Sequence, residues 1–439
     1  MVSPLKNKWL IILVCVFITN LCPAQEFDKE EKIIGYLQHH RFNKIHRHSD
    51  KSLKKALSSN RLKKVWLDIE KQFGPYQSHG KPLGISGADV EKSITLLYFK
   101  KGSMDLETTF NSDEELTGIF FKPKAYTLPD YGKYLNYYKE DIAIVSGNYT
   151  LPGEIMLPKD LSKKVPLVIF IHGSGANDRY VGIGPVKVFK DLSLGLLNEG
   201  IACMVYDKRT LVYKKMYDTA QFTLWDETVE DAVNAFRLAK TKDNIDTNRI
   251  YIAGHSQGGY ALPLILKHCP GIKGGISLAG CSRPLDELME DQYHYLTRLD
   301  GKVTLSEKMF LKKEMKKIRF VRSEKLFTSK PKAYLLGYWP TLFWRDIKTY
   351  DPLSELKALD VPVLFLQGDR DYQVTDKDFA KWKSAYLEKK YWSFISYSKL
   401  NHLFIEGEGK PNPYEYWNGG NIPQYVIKDM VDWIKKVPD

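Results

Sequence analysis

The stretch RIYIAGHSQGGYALPLILKH, residues 249–268, decides the fold of this chain. A short apolar run favours a buried strand, the pentapeptide Gly-His-Ser-Gln-Gly follows it, and a second apolar run of helical length comes next. A serine at a sharp strand-to-helix turn is pushed out over the end of the strand, and flanking glycines have no Cβ atom to clash there. The pattern therefore predicts an accessible, nucleophilic hydroxyl at Ser256, faced by the first amides of the following helix.

Further apolar runs of strand length occur on both sides of this motif. They are VPLVIFIHG (165–173), GIACMVYD (200–207), GGISLAG (274–280), VPVLFLQG (361–368) and YWSFISY (391–397). Strands that are apolar on both faces and alternate with helical patterns are typical of a parallel sheet covered by helices on both sides. The sequence thus predicts an α/β domain with a mostly parallel, doubly wound sheet over residues 141–439.

The remaining segments have other patterns. Residues 26–125 join a helical repeat that stops at Gly74-Pro75 to several strand-like runs, which predicts a small N-terminal α+β domain. Residues 126–140 are predicted to be a linker. A charged, largely helical insert at about residues 282–356 interrupts the α/β rhythm, and we expect it to act as a lid over the strand ends.

The first residues read as a targeting signal and not as part of the fold. Lys6 and Lys8 precede an apolar run from Trp9 to Leu21, and Ala24 can stand before a cleavage point. We predict a signal peptide at residues 1–24 and export to the periplasm or the medium, without stable membrane insertion after cleavage. A retained membrane anchor is the alternative.

Composition excludes some classes of partner. The net charge of the 439 residues is +12, but the lysines are spread along the chain and form no basic-aromatic module, so nucleic-acid binding is not expected. The histidine-rich run at residues 39–48 has neither cysteines nor paired carboxylates, and we interpret it as a solvated basic stretch. Past the signal, the cysteines Cys203, Cys269 and Cys281 are too few for a disulfide framework and are predicted to be buried apolar residues.

A catalytic serine needs a base, and the base needs a group that orients it. Downstream of Ser256 come an aspartate and then a histidine, which is the chain order of the α/β-hydrolase triad. Asp369 and Asp371 follow the run at 361–368, and we favour Asp371 because of its spacing from the strand end. His402 follows the next run. Both positions fall at carboxyl ends of strands, where open α/β sheets place their sites.

An oxyanion hole is the remaining requirement for acyl transfer. The glycine-rich loop at residues 173–175 follows the first long strand of the domain and lets backbone amides face a ligand. We predict the amides of Ser174 and Gln257 as the two donors. His172 is expected to brace this loop and His255 to pack within the turn, and the chemistry requires neither a metal nor an organic cofactor.

These motifs also carry a resemblance to a known family. HGSGANDR (172–179), YDKRT (206–210), GHSQGG (254–259), GDRDYQVT (368–375) and LNHLF (400–404) resemble the bacterial α/β-hydrolases of the EstD-type carboxylesterase group. The resemblance implies an α/β-hydrolase fold, a triad of Ser256, Asp371 and His402, and hydrolysis of small-molecule esters with short acyl groups. The segment ending LTGIFFKP (116–123) is similar to the NTF2- or cystatin-like N-terminal domain of unknown function that many members carry.

Two other functions remain open at this stage. A serine peptidase of the same fold would bind a free amino terminus through acidic lid residues, for which the lid offers Glu287, Glu290 and Asp291. A non-catalytic protein would keep the fold as a relic and bind a glycan or a partner. The sequence leaves the natural substrate and the oligomeric state undetermined.

Overall fold

The computed structural model describes residues 28–86 and 91–438. The predicted signal peptide, residues 1–24, lies outside these ranges. The described residues divide into two compact units: the first contains those from 28 to 126 together with 413–419, and the second contains residues 127–412 and 420–438.

The N-terminal unit places helices before an antiparallel sheet. Its helices are α1 (Asp28–Gln38), α2 (Phe42–Arg47), α3 (Lys51–Ala56) and α4 (Ser59–Phe73), and its strands are β1 (Tyr76–His79), β2 (Leu83–Ser86), β3 (Glu91–Phe99), β4 (Gly102–Phe110) and β5 (Leu116–Pro123). The sheet order is β1-β3-β4-β5, with β2 also paired to β3. The predicted α+β organisation of this segment is confirmed.

The core of the N-terminal unit forms around the apolar face of α4. Trp66 on this helix is fully buried and its ring lies within 6.0 Å of the rings of Tyr76, Phe99 and Phe121. The helix ends at Gly74, whose φ of +80° is a conformation that favours glycine. Residues 413–419 belong to this unit because Trp417 packs edge-on against Phe73.

The second unit contains an eight-stranded sheet. Its strands are β6 (Tyr137–Ser146), β7 (Tyr149–Pro158), β8 (Val165–Ile171), β11 (Ala202–Tyr206), β12 (Ile245–His255), β13 (Gly274–Leu278), β14 (Val363–Gly368) and β15 (Ser393–Tyr397), and β9 (Gly182–Ile183) and β10 (Val186–Lys187) form a separate two-stranded sheet. The order is β15-β14-β13-β12-β8-β11-β7-β6. The six strands from β15 to β11 are parallel, whereas β7 and β6 are antiparallel to their neighbours. This arrangement confirms the predicted mostly parallel sheet.

Helices cover both faces of this sheet. The helices of this unit are α5 (Val188–Asn198), α6 (Arg209–Val212), α7 (Glu230–Ala239), α8 (Gln257–Lys267), α9 (Leu285–Leu296), α10 (Leu305–Arg322), α11 (Lys325–Thr328), α12 (Thr341–Lys348), α13 (Pro352–Lys357), α14 (Asp376–Tyr386) and α15 (Gln424–Lys436). Shorter turns of helix lie at Asp130–Gly132, Lys214–Asp218 and Trp225–Val229, the last of which is a π-helix, and a further short turn at Glu415–Asn418 belongs to the N-terminal unit.

Two neighbouring glycines in β13 show that the sheet is wound on both sides. A Cβ atom at Gly274 would meet Trp433 of α15, and one at Gly275 would meet Leu262 and Leu266 of α8. Since successive residues of a strand point to opposite faces, α15 and α8 lie on opposite sides of the sheet.

The boundaries in the structure differ from those drawn on the sequence. Strand β6 begins at Tyr137, inside the segment predicted to be a linker, because its residues pair with β7 as far as Pro158. Helices α9 to α12 lie within the predicted insert at residues 282–356, between β13 and β14. Among the described residues, no helix is both long enough and apolar enough to cross a membrane.

Candidate active site

Ser256 occupies a tight turn between β12 and α8. Its φ is +55° and its ψ is −113°, a conformation that side chains other than glycine rarely adopt and that costs about 1–3 kcal/mol. Hydrogen bonds hold the turn from both sides: the Ser256 amide donates to the Leu278 carbonyl at 2.9 Å, and the Tyr260 amide donates to the Ser256 carbonyl at 2.9 Å. The turn therefore presents the side chain beyond the end of β12.

The two glycines of the motif are required by close backbone contacts. A Cβ atom at Gly254 would lie 2.3 Å from the carbonyl oxygen of Gly258. A Cβ atom at Gly258 would lie 2.4 Å from the carbonyl oxygen of Ile171 at the end of β8. Both distances are far below van der Waals contact, so no larger residue fits at either position while the turn is kept.

His402 and Asp371 form a buried pair. His402 Nδ1 lies 2.7 Å from Asp371 Oδ2, and the two residues are only 4% exposed. The other carboxylate oxygen, Oδ1, accepts hydrogen bonds from the amides of Gln373 at 2.7 Å and Val374 at 2.9 Å. A carboxylate accepts and cannot donate, so Nδ1 carries the proton and Nε2 is left as the basic nitrogen.

The structure separates the two aspartates that follow β14. Asp371 is buried against His402, whereas the side chain of Asp369 is exposed. Asp371 follows β14 and His402 follows β15, and these strands are neighbours in the sheet. Parallel strands end at the same edge, which is why residues 31 positions apart in the chain meet there.

The segment around His402 is also tied to the serine turn. His255 Nε2 donates to the carbonyl oxygen of His402 at 2.8 Å, and the two imidazole rings are 4.8 Å apart. Since His255 directly precedes Ser256, this bond joins the histidine loop to the nucleophile turn. His255 thereby has the packing position that the sequence predicted for it.

The loop after β8 approaches the serine from the other side. A Cβ atom at Gly173 would lie 3.1 Å from Ser256 Cβ. The Asn177 side-chain amide donates to the carbonyl oxygens of Gly173, Ser174 and Gly175 at 3.0–3.2 Å, and Gly175 has a φ of +97°. These bonds turn the carbonyls of the loop toward Asn177, so the loop has a defined shape beside Ser256.

Two buried histidines beside the turn, His172 and His255, are kept neutral. Burial lowers the pKa of His172 to about 3, and the nearby charge of Lys208 adds to the shift. Burial likewise lowers the pKa of His255 to about 3, with a contribution from His402. Neither ring is therefore suited to take up a proton near neutral pH.

Several residues at the site were not predicted from the sequence. Lys208 and Glu227 form a buried ion pair at 3.0 Å, and the side chain of Gln257 bonds to both. Lys208 lies in the motif YDKRT two residues after the end of β11, and a lysine so close to a buried strand was the available signal. The sequence assigned only a backbone role to Gln257, because a tertiary contact cannot be read from spacing along the chain.

Two tyrosines pack together beside the loop after β8, and one of them, Tyr338, contacts it. The ring of Tyr338 lies 5.1 Å from that of Tyr217, and the Tyr338 hydroxyl lies against Ser174 and Gly175. Both hydroxyls are buried; that of Tyr338 faces Ser174 and Gly175, and that of Tyr217 faces Thr210. Burial raises the pKa of each phenol, so both keep their protons and remain hydrogen-bond donors.

Residues 28–86 and 91–438 offer no cluster of metal ligands. No group of three or more His, Cys, Asp or Glu side chains in these ranges is placed to hold a metal ion. Cys203, Cys269 and Cys281 are free and buried, and burial raises the pKa of Cys203 and Cys269 to about 12. These thiols are therefore protonated at neutral pH and unsuited to act as nucleophiles.

Known proteins resemble both units of the chain. Residues 154–386 match a family described as BD-FAE, and residues 31–119 match a family described as Protein of unknown function (DUF3887). Esterase EstD from Thermotoga maritima is 32% identical over 414 residues, which are 93% of this chain and 96% of that protein.

Other likenesses are shorter or more distant. Dipeptidyl peptidase 8 from Mus musculus is 33% identical over 121 residues, 26% of this chain and 13% of that protein. The solved structure of Est1E from Butyrivibrio proteoclasticus has a TM-score of 0.43 at 20% identity and covers 67% of this chain and 99% of that one.

The buried His172 makes the stability of the fold depend on pH. The unfolded chain takes up a proton at this ring near the ordinary pKa of 6.5, whereas the folded chain does so only near 3, so stability is lost as the pH falls between these values. We expect His172→Phe, which keeps an aromatic ring, to reduce the slope of unfolding free energy against pH by about 1.4 kcal/mol per pH unit. Urea unfolding followed by circular dichroism at pH 7, 6, 5 and 4 measures this slope, and equal slopes for variant and wild type would contradict the assignment.

Proposed function

The chain belongs to the family of esterase EstD and to the BD-FAE family, and from this premise we propose that it is a carboxylic ester hydrolase that forms an acyl-enzyme on Ser256. The resemblance to the EstD-type group, predicted from the sequence motifs, is confirmed by 32% identity over 93% of the chain. The observation that carries the proposed mechanism is the buried His402–Asp371 pair at 2.7 Å, whose histidine loop is bonded to the residue before Ser256.

The proposed reaction proceeds in two halves. His402 Nε2 takes the hydroxyl proton as Ser256 Oγ attacks the ester carbonyl, and it returns that proton to the leaving alcohol as the ester bond breaks. Water then loses a proton to His402 and attacks the acyl-enzyme, which releases the carboxylic acid and restores the serine. Asp371 holds the Nδ1–H tautomer throughout and stabilises the imidazolium that forms in each half.

The negative charge on the carbonyl oxygen requires donors that are already in place. We propose the backbone amides of Ser174, in the loop after β8, and of Gln257, the first residue of α8. The amide of Gln257 belongs to the positive end of the helix, which favours an anion there. Donors that are held by the fold need not reorganise when the charge develops.

The walls of the site support a small acyl group. Tyr338 lies beside the Ser174–Gly175 segment, Tyr217 packs edge-on against Tyr338, and Trp339 packs on Tyr338 with ring centroids 4.3 Å apart. Such an aromatic wall limits the space beside the proposed oxyanion hole. We therefore propose short-chain acyl esters as the substrate class.

Peptidase activity has less support than ester hydrolysis. Two of the three acidic residues that could bind an amino terminus already have cationic partners: Glu290 pairs with Arg322 at 2.7 Å and Asp291 pairs with Arg283 at 2.9 Å. The third, Glu287, is exposed. Because neutralised carboxylates attract an ammonium group weakly, the proposal is an esterase.

We also propose that the protein is exported, on the basis of Lys6, Lys8 and the apolar run that follows them. Expression of the full chain in a bacterium, followed by sequencing of the N-terminus of the periplasmic or secreted protein, tests this. An N-terminus near residue 25 supports export with cleavage, and protein that stays in the cytoplasm with Met1 intact contradicts it.

The role of Ser256 predicts a sharp loss of chemistry in Ser256→Ala. We expect hydrolysis of p-nitrophenyl acetate to fall by about 10⁴-fold or more, because no acyl-enzyme can form. Covalent labelling by a fluorophosphonate should disappear in the same variant. Wild type should cleave acetyl esters far faster than an aminoacyl nitroanilide; the reverse preference would favour the peptidase, and an unlabelled, inactive wild type would favour a non-catalytic protein.

The two aspartates after β14 supply a matched pair of variants. Asp371→Asn places an amide against His402 Nδ1 and favours the wrong tautomer, so we expect kcat to fall by about 10⁴-fold with the fold intact. Asp369→Asn changes an exposed carboxylate two residues away and should leave kcat within about twofold of wild type. Steady-state kinetics measure kcat for both variants. A larger loss of kcat in Asp369→Asn than in Asp371→Asn would show that Asp369, and not Asp371, orients His402.

A further inference from the structure

Lys208 is a buried cation whose hydrogen bonds converge on the nucleophile region. It follows β11, its side chain is 2% exposed, and its ammonium donates to Gly173 O at 2.8 Å, Glu227 Oε1 at 3.0 Å and Gln257 Oε1 at 3.2 Å. An ammonium has three donors, and these three acceptors use all of them. The side chain is thus held in one place, unlike a lysine at the surface.

Two of these acceptors belong to the elements that carry the proposed oxyanion donors. The Gly173 carbonyl and the Ser174 N–H are the two ends of one peptide group, which is planar and conjugated. A cation bonded to the carbonyl oxygen draws electron density toward that oxygen and leaves the N–H more positive. The same ammonium therefore both anchors the loop and strengthens the Ser174 amide as a donor.

The side-chain oxygen of Gln257, the other of these two acceptors, fixes the start of α8. The side chain of Gln257 is bound at both ends, since its oxygen accepts from Lys208 and its amide nitrogen donates to Glu227 Oε2 at 3.2 Å. Gln257 is 3% exposed and contributes the other proposed donor through its backbone amide. A side chain that is bonded at both ends holds the position of its own backbone.

Glu227 completes the network and connects it to the insert. It is fully buried, compensates the charge of Lys208, and accepts a third hydrogen bond from Trp339 Nε1 at 3.0 Å. Glu227 lies in the π-helical segment Trp225–Val229, a local irregularity that is frequent at functional sites. Trp339, which belongs to the insert, is thereby bonded to the same carboxylate that balances Lys208.

The contribution of the Lys208–Glu227 pair to folding stability does not explain why the network is present. A buried ion pair loses hydration on both sides, and apolar residues of similar volume are often as stable or more stable. The convergence of Lys208 on Gly173 and Gln257 has a simpler explanation in catalysis. We infer that Lys208, with Glu227 as its counter-ion, is a positioning residue that aligns both oxyanion donors and polarises the peptide group of one of them; this inference rests on the proposed function.

The test removes both charges together so that no single buried charge is left behind. In Lys208→Met with Glu227→Gln, we expect kcat for p-nitrophenyl acetate to fall by about 100-fold, because a displacement near 1 Å at the reacting centre costs that much. KM should stay within about twofold. Affinity for a trifluoromethyl ketone, which forms a tetrahedral adduct on serine, should fall by the same factor as kcat.

The neighbouring Arg209 supplies a matched control. It is also 2% exposed and is paired with the buried Asp231, but its side chain donates to Ser146, Glu230 and Asp231, none of which lies in the loop after β8. Arg209→Met with Asp231→Asn should therefore lower the thermal midpoint while the kcat of the folded enzyme stays near wild type. Equal losses of kcat in the two double variants would reduce Lys208 to a general structural role and overturn the inference.

If Lys208→Met with Glu227→Gln does not fold, the single variant Gln257→Leu still tests the inference. It keeps the backbone amide and removes one acceptor of Lys208, so we expect a fall in kcat of about 10-fold with little change in KM. A wild-type kcat in this variant would overturn the inference. Ser256→Ala separates the two levels: if it keeps activity, the proposed function fails, whereas an inactive Ser256→Ala beside fully active Lys208 and Gln257 variants defeats only the positioning role.

Discussion

The close contact between the end of β8 and the β12–α8 turn is the constraint on which the rest of the site depends. Gly258 comes so near to the Ile171 carbonyl, and Gly254 so near to Gly258, that a single additional carbon atom does not fit at either position. These contacts hold the backbone turn after β12, in which Ser256 has a positive φ. The same contacts bring the loop after β8 to the serine, so that the nucleophile and the proposed oxyanion donors are positioned by one piece of backbone packing.

Burial and ion pairing determine the charge of the ionisable side chains around this turn. His172 and His255 are kept neutral because desolvation opposes a positive charge, and His402 is stabilised in one tautomer by Asp371. Lys208 is the exception, a buried cation compensated by Glu227. A cation is retained in a place where a neutral side chain would be less costly, and two of its three acceptors, Gly173 and Gln257, belong to the backbone of the proposed oxyanion donors.

Ester hydrolysis is supported along nearly the whole chain, and the two units contribute differently to that support. The unit with Ser256 contains the BD-FAE match, whereas the N-terminal unit matches a family described only as of unknown function. The described N-terminal unit has its own core around Trp66. Its role is a separate question from the chemistry at Ser256.

The sequence by itself determined the mostly parallel sheet and the glycine-flanked turn at Ser256, and it predicted a triad of Ser256, Asp371 and His402, because these depend on local patterns: apolar runs, glycine spacing and positions after strand ends. The choice of Asp371 over Asp369 was also predicted, from its spacing after the strand. Only the tertiary structure decided the assignment of residues 413–419 to the N-terminal unit and the contacts of Lys208, Glu227, Gln257 and Trp339. These contacts join residues up to 112 positions apart, and which side chains meet over such distances depends on how loops and inserts fold back on the sheet, which no local period of the sequence encodes.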